Sequence, residues 1–217
     1  MPETAPQVKV DAVKGYGGII TFCKPTLAAR EETLRQVMEK TGATEIHPYN
    51  DYRIIAGQAT AALELHRSVN QLDIIMSPVG GGGLLSGTAL ATKYISPATR
   101  VIAAEPKGAD DAYRSMMTRQ IVPSIDPVTI ADGLLTSLGT LTFPIILENV
   151  EQIILVSEET IVNAMRLVWE RMKIIIEPSS AVPVGAILDH PAIFRNKKVG
   201  VIISGGNVNL SKLPWQI

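Results

Sequence analysis

The stretch Ser77–Ile95, SPVGGGGLLSGTALATKYI, places four consecutive glycines, Gly80, Gly81, Gly82 and Gly83, between an apolar run and a segment with helical spacing. Glycine lets the backbone adopt conformations closed to other residues, and it lets a ligand approach without meeting a Cβ. Because the loop follows a strand and precedes a helix, its amides and the helix N-terminus would face the same anion. The stretch predicts phosphate binding, with a tight, ligand-free turn as the alternative.

The segments on either side of this loop alternate between strand and helix. Buried strands are predicted at LDIIMS, RVIAAEP, QIILVS and KKVGVIISGGN, because each is a short apolar run followed by turn residues. Helical spacing lies between them, in the ranges 51–66, 85–94, 109–117, 143–148 and 157–173. This alternation predicts an α/β fold with mostly parallel strands covered by helices on both faces.

The N-terminal portion is predicted to contain two helices and two short strands. The helices lie at 7–14 and at 28–41, the second ending at Gly42. The β-prone run GGIITFC and the range 45–47 are the predicted strands.

A second glycine loop strengthens the phosphate-binding hypothesis. In VGVIISGGN, Ser204 and two glycines follow a predicted buried strand. Ligands of open α/β sheets lie outside the carboxyl ends of the strands, so two such loops could converge on one ligand. The four-glycine loop lacks the Lys-Ser/Thr ending of a Walker loop and does not fit the G-x-G-x-x-G fingerprint well.

Composition argues against several other classes of partner. Lys and Arg number 20 against 21 Asp and Glu, without a basic arm or acidic tail, so nucleic acid is a poor candidate. No uncharged stretch resembles a secretion signal or a membrane span. Cys23 is the only cysteine, and its apolar neighbours indicate a buried, inert thiol. We therefore expect a cytoplasmic protein with a small-molecule ligand.

Six motifs in one order carry a family resemblance: HPYNDYRIIAGQATAALEL, SPVGGGGLLSG, AAEPKGADDAY, IADGL, LVWERMKIIIEPSSA and ISGGNVNL. Together they resemble the fold type II pyridoxal-phosphate enzymes, which have a tryptophan-synthase-β-like three-layer α/β/α fold. The resemblance is greatest to the group of serine racemase, serine/threonine dehydratase and hydroxyaspartate dehydratase. It implies a homodimer that acts on a small hydroxy amino acid.

The resemblance also implies roles for particular residues. The glycine-rich loop would bind the phosphate of pyridoxal 5'-phosphate, with the amide of Leu84 next in line, and Ser204 would hydrogen-bond the pyridine nitrogen. EPKGADD matches the family's cation site, in which Glu105, the carbonyl of Ala109 and Asp111 would bind Mg²⁺, Ca²⁺ or Mn²⁺. Without the resemblance, these acidic residues are typical of a solvated helix start.

The motif that carries the family's Schiff-base lysine is absent from this sequence, as is its Ser-x-x-Asn substrate loop. We therefore expect a fragment without its N-terminal part, in which 1–48 are the remainder of a small domain and 49–217 an incomplete large one. Such a chain alone would be inactive as a dehydratase or racemase. The alternatives are a non-catalytic chain that binds phosphate or the cofactor, or pairs with full-length subunits, and an unrelated nucleotide-binding module.

Overall fold

The computed structural model describes residues 1–216, with Leu27 described by its backbone only. The chain divides into two compact units. The first comprises 1–46 and 207–213, and the second comprises 47–206 together with the C-terminal residues from Pro214.

The first unit contains two helices, α1 (Gln7–Gly15) and α2 (Leu27–Thr41). The Thr26 side chain accepts a hydrogen bond from the amide of Ala29 at 3.2 Å, and α2 ends at Gly42, whose φ of 71° is left-handed. Both predicted helices are confirmed, but the strand predicted at GGIITFC is wrong. Only an isolated bridge between Pro2 and Cys23 forms there among the described residues, and Ile19 is fully exposed.

The second unit alternates helices and strands as the sequence predicts. Its predicted helices and strands are present to within a few residues at each end, whereas 45–47, at the boundary with the first unit, form no strand. The elements are α3 (Tyr52–Ser68), β1 (Ile74–Pro78), α4 (Gly83–Ile95), β2 (Arg100–Pro106), α5 (Asp111–Thr118), a 3₁₀ turn (Asp132–Leu134), α6 (Thr142–Asn149), β3 (Gln152–Val156), α7 (Glu158–Met172), α8 (Pro178–Asp189), α9 (Pro191–Phe194) and β4 (Val199–Val201).

The four strands form one parallel sheet in the order β3-β2-β1-β4, which confirms the α/β fold class. Every residue of β1 is buried. On one face, Ile75 and Ala103 pack in the same apolar cluster as Leu85 of α4, and α8 contacts the sheet as well. Helices therefore keep water from the central strands.

The strand order places the two glycine loops side by side. The chain passes from β1 to β2 on one side of β1, and β4 pairs with the other side. The point between β1 and β4 is where the strand order reverses, and such points form crevices at the carboxyl ends of the strands. Gly80–Gly83 follow β1, and Ser204 follows β4.

Among residues 1–216, no helix is both long and apolar enough to cross a membrane.

Candidate cofactor and metal site

The four-glycine loop ends in the buried N-terminus of α4. Gly82, with a φ of 88°, is the N-cap residue, and no side chain among the described residues caps the helix. The first turn of α4 contains no acidic residue. Gly82 and Gly83 are both buried. A helix N-terminus carries partial positive charge and unpaired N–H groups, which a buried site must satisfy. The N-terminus of α4 therefore suits an anionic group such as a phosphate.

Packing explains why glycine is needed in this loop. A Cβ on Gly81 would lie 2.3 Å from the ring of Tyr49, and one on Gly82 would lie 2.8 Å from Ile146 Cδ1. Both distances are shorter than real Cβ contacts, so a larger residue would displace the loop or its neighbours. The glycines thus let the loop backbone pack closely against the protein while its amides stay available.

Hydrogen bonds from residues far along the chain hold the four-glycine loop and the segments next to it. Thr142 Oγ1 donates to Gly81 O at 2.8 Å and accepts from the amide of Gly139 at 2.9 Å. Asn50 Oδ1 accepts from the amide of Leu141 at 2.8 Å, which ties the segment before α3 to the start of α6. Sequence reasoning missed these supporting residues.

The loop after β4 is held by the N-terminal turn of α8. Ser180 Oγ accepts from the amide of Gly205 at 2.7 Å and donates to Gly205 O at 2.7 Å. The hydroxyl oxygens of Ser180 and Ser204 lie 2.9 Å apart, and the amide of Glu177 donates to Gly205 O at 3.0 Å. Ser204 itself is exposed. A hydroxyl is therefore held at the open edge of the sheet.

The segment around the 3₁₀ turn connects the two loops. A Cβ on Gly80 would lie 3.0 Å from Leu134 Cα, and the amide of Gly133 donates to Ser179 Oγ at 3.0 Å. Since Ser179 belongs to the same helical turn as Ser180, the glycine loop, the 3₁₀ turn, α8 and the loop after β4 form one continuous set of contacts.

The acidic residues at the end of β2 and the start of α5 form a different kind of site. Glu105 and Asp111 are each 1% exposed, and Glu105 accepts from the amides of Ala112 and Tyr113, both at 2.8 Å. Burial, helped by the nearby Asp111 carboxylate and opposed by the two amide hydrogen bonds, raises the pKa of Glu105 to about 8. Burial also raises the pKa of Asp111 to about 6. The two side chains are therefore costly to keep charged without a cation.

One oxygen atom of this pair has no partner at hydrogen-bond geometry among residues 1–216, although the Ser124 hydroxyl is near enough to lower the pKa of Asp111. Asp111 Oδ2 is buried and makes no hydrogen bond. An unpaired buried carboxylate oxygen fits a hard cation, and the carbonyl of Ala109 lies in the turn between the two acids. Within the described part of the chain, no cluster of three or more His, Cys, Asp or Glu side chains is arranged to hold a metal ion. Any cation here would thus rely on backbone oxygen and water to complete its coordination.

Comparisons with known proteins identify the family of this chain. The family described as pyridoxal-phosphate dependent enzyme matches residues 1–205. The chain is 52% identical to the β-hydroxyaspartate dehydratase of Paracoccus denitrificans over 215 residues, which are 99% of this chain and 68% of that protein. It is 54% identical to the serine racemase of Dictyostelium discoideum, covering 98% of this chain and 67% of that protein.

Solved structures of related enzymes have the same fold as this chain. The crystal structure of the Dictyostelium serine racemase has a TM-score of 0.89 at 55% identity, covering 96% of this chain and 68% of that one. The crystal structure of a threonine deaminase from T.th. has a TM-score of 0.90 at 43% identity, covering 98% and 70%. The chain therefore belongs to the pyridoxal-phosphate-dependent enzymes of fold type II, and it spans about two thirds of the length of these relatives.

Proposed function

We propose that this chain forms the cofactor-binding part of a pyridoxal-phosphate-dependent serine racemase or hydroxy-amino-acid dehydratase. The observation that carries the proposal is the buried, uncapped N-terminus of α4 next to the loop that holds Ser204, at the point where the strand order reverses. The relatives named serine racemase and β-hydroxyaspartate dehydratase support this choice of reactions. The substrate class is then a small hydroxy amino acid.

In this proposal, the amides of Gly80–Gly83 and Leu84 bind the phosphate, and Ser204 contacts the pyridine nitrogen. The phosphate is neutralised by N–H groups and the α4 dipole, so no basic side chain is required. Bound pyridoxal phosphate supplies an electron sink for a carbanion at the substrate α-carbon. Ser204, being uncharged, holds a proton on the ring less firmly than a carboxylate would, which favours loss of a β-hydroxyl.

Glu105, Asp111 and the carbonyl of Ala109 would bind Mg²⁺, Ca²⁺ or Mn²⁺ in the same proposal. The unpaired Asp111 Oδ2 and the raised pKa values of both carboxyl groups support it. Charge neutralisation there would fix the turn from β2 into α5. The proposed cation is therefore structural, because these acids follow a different strand from the ones that lead into the glycine loops.

Covalent attachment of the cofactor needs a lysine, and the family's lysine motif is absent from this sequence. This absence favours a second candidate, a chain that binds the cofactor, or pairs with full-length subunits, without catalysing a reaction. In either case we propose a homodimer as the assembled form. The two candidates share the phosphate site and differ only in turnover.

Calorimetric titration of the 217-residue chain tests the proposal. We expect saturable binding of pyridoxal phosphate. Pyridoxal should bind more weakly by about tenfold or more, because the charged phosphate contacts are lost. ATP should not bind, because its phosphates would be misplaced relative to those contacts. Binding of ATP without pyridoxal phosphate would instead indicate a nucleotide-binding module. Release of a 2-oxo acid from serine or hydroxyaspartate would then separate the catalytic candidate from the non-catalytic one.

A further inference from the structure

The imidazole of His47 accepts hydrogen bonds from two backbone amides. Its Nδ1 lies 2.8 Å from the amide nitrogen of Asn50 and 3.2 Å from that of Tyr49. An amide N–H can only donate, so Nδ1 is the acceptor and carries no proton. A neutral imidazole with an unprotonated Nδ1 has its proton on Nε2. These two hydrogen bonds therefore require one particular tautomer of His47.

The same two hydrogen bonds close a tight turn that begins at His47. A side-chain acceptor that binds amides two and three residues further on is usually supplied by Asn, Asp, Ser or Thr. Here an imidazole supplies it, and the ring also packs edge-on against the Tyr49 ring, with centroids 4.7 Å apart and an interplanar angle of 89°. His47 thus holds both the backbone of the turn and the aromatic side chain within it.

Tyr49 lies directly against the four-glycine loop. A Cβ on Gly81 would lie 2.3 Å from the Tyr49 ring, and a Cβ on Gly83 would lie 2.9 Å from Tyr49 Cβ and 3.0 Å from Tyr49 Cα. These distances leave no space for a side chain between the tyrosine and the loop backbone. The position of Tyr49 therefore limits where the backbone of the loop can lie.

Asn50 contacts the segment that bonds the glycine loop. Its Oδ1 accepts from the amide of Leu141 at 2.8 Å, and its Nδ2 donates to Thr140 Oγ1 at 3.2 Å. In the same segment, the amide of Gly139 donates to Gly81 O at 3.3 Å. The turn therefore reaches the glycine loop twice, directly through its tyrosine and indirectly through its asparagine.

A loop of four glycines needs such support if it is to bind an anion well. Glycine has more backbone freedom than any other residue, so ordering four of them on binding would oppose the binding free energy. Contacts that order the loop beforehand remove this cost. Given the proposed function, we infer that His47 is a positioning residue that orders the phosphate-binding loop before the cofactor binds. It acts through the amides of Tyr49 and Asn50.

The test compares H47N with H47Q. Both variants lose the imidazole ring and supply an amide oxygen in its place. In asparagine this oxygen is as many bonds from Cα as Nδ1 is, so it can accept from the amides of the turn, whereas in glutamine it lies one bond further, at the position of Nε2. Calorimetric titration should show that H47N keeps the wild-type affinity for pyridoxal phosphate within about twofold. H47Q should lower that affinity by about tenfold, the size of one lost hydrogen bond.

Two measurements on the protein without cofactor test the turn itself. Amide hydrogen exchange of Asn50 should be about tenfold faster in H47Q than in wild type, and close to wild type in H47N. The ring ¹⁵N resonances of wild-type His47 at about pH 8, where an ordinary imidazole is neutral, should show the proton on Nε2. A proton on Nδ1 would overturn the inference.

The outcomes separate the inference from the proposed function. A wild-type chain that binds pyridoxal phosphate, with equal affinities in H47N and H47Q, would overturn the inference and leave the proposed function intact. A wild-type chain that does not bind pyridoxal phosphate would overturn the proposed function and the inference with it. Affinity that is kept in H47N and lost in H47Q supports the inference, because loss of the ring alone would weaken both variants alike.

Two further variants complete the comparison. H47A removes the acceptor without adding a longer side chain, so it should match H47Q, and it takes the place of H47Q if that variant does not fold. H190Q, at an exposed position, should keep the wild-type affinity. An H47A variant that binds pyridoxal phosphate as tightly as wild type would also overturn the inference.

Discussion

The ends of strands β1 and β2 are neighbours in one sheet, yet they present opposite chemistry. β1 ends at four glycines and the uncapped N-terminus of α4, where backbone N–H groups supply the partial positive charge. Glu105 lies next to the last residue of β2 and Asp111 is the first residue of α5, and burial raises the pKa of both carboxyl groups. The first site has no acidic residue in its first helical turn, and the second has a buried carboxylate oxygen without a hydrogen bond in the described part of the chain, so each fits an ion of a different sign.

The difference shows that a parallel sheet sets where ligands can bind but not which ones. Adjacent carboxyl ends share the same edge, and the residues at each strand end and in the loop after it decide whether the site attracts an anion or a cation. At the end of β1, the choice depends on the absence of side chains. At the end of β2, it depends on two carboxylates that are almost completely buried.

The largest expected effect comes from filling the anion site. In G81A, the new Cβ would meet the Tyr49 ring at 2.3 Å. We expect cofactor affinity to fall by about tenfold or more and the free energy of unfolding to fall by about 1–3 kcal/mol, the usual cost of overpacking. Titration calorimetry and urea denaturation measure the two effects.

G57A is the matched control for this prediction. Gly57 lies within α3, and a Cβ there would meet nothing within 4 Å. We expect it to leave cofactor binding unchanged and to stabilise the helix by about 0.5–1 kcal/mol. Equal loss of binding in G57A and G81A would contradict the role assigned to the glycine loop.

The next effect concerns the cation site at the end of β2. Mg²⁺ at about ten times its Kd should stabilise the wild type by about 1.4 kcal/mol in thermal unfolding. D111N should abolish this gain, because it removes the carboxylate whose Oδ2 has no protein partner in the described part of the chain. D110N should keep it, since Asp110 forms an ion pair with Arg114 at 2.7 Å instead. Equal stabilisation of D111N and wild type would rule out the proposed cation site.

A smaller effect is expected from the support behind the glycine loop. T142V removes the hydroxyl that bonds Gly81 O and the amide of Gly139 in a fully buried position. The two groups would keep only the longer hydrogen bond from Gly139 N to Gly81 O at 3.3 Å, so the change should cost about 0.5–1.5 kcal/mol of unfolding free energy. T60V removes an exposed hydroxyl and should cost little. If both variants unfold at the same urea concentration, Thr142 does not support the loop.

The smallest effect is a pH dependence outside both sites. Burial lowers the pKa of His66, whose Nε2 lies 3.1 Å from Thr92 Oγ1. The unfolded chain then binds the proton more readily, so the stability that neutral His66 provides is complete above about pH 6.5 and declines as the pH falls below that value. H66Q should flatten this part of the urea-denaturation pH profile, whereas H190Q, at an exposed position, should not.

The elements of the sheet could be predicted from the sequence because each depends on a local pattern. Buried strands are short apolar runs, and helix starts such as Asp51 and Ser157 carry side chains that cap the next turn. The glycines at 80–83 and Ser204 could be selected because residues that follow buried strands lie at the ligand-binding edge. Their roles remain proposals.

The features that the sequence did not predict depend on partners far along the chain. GGIITFC has strand-forming residues, but a strand needs a neighbour, and among the described residues only Pro2 pairs with Cys23. Thr142 bonds the glycine loop and Asn50 bonds the start of α6, and only the tertiary fold brings these partners near. Ser180 lies in the EPSSA segment, but only the tertiary fold brings its hydroxyl to Ser204.

A crystal structure of the chain soaked with pyridoxal phosphate tests the central claim most directly. The account predicts that the phosphate lies against the amides of Gly80–Gly83 and Leu84 at the start of α4, with the pyridine nitrogen within hydrogen-bond distance of Ser204 Oγ. A phosphate bound elsewhere, or a ring turned away from Ser204, would contradict it.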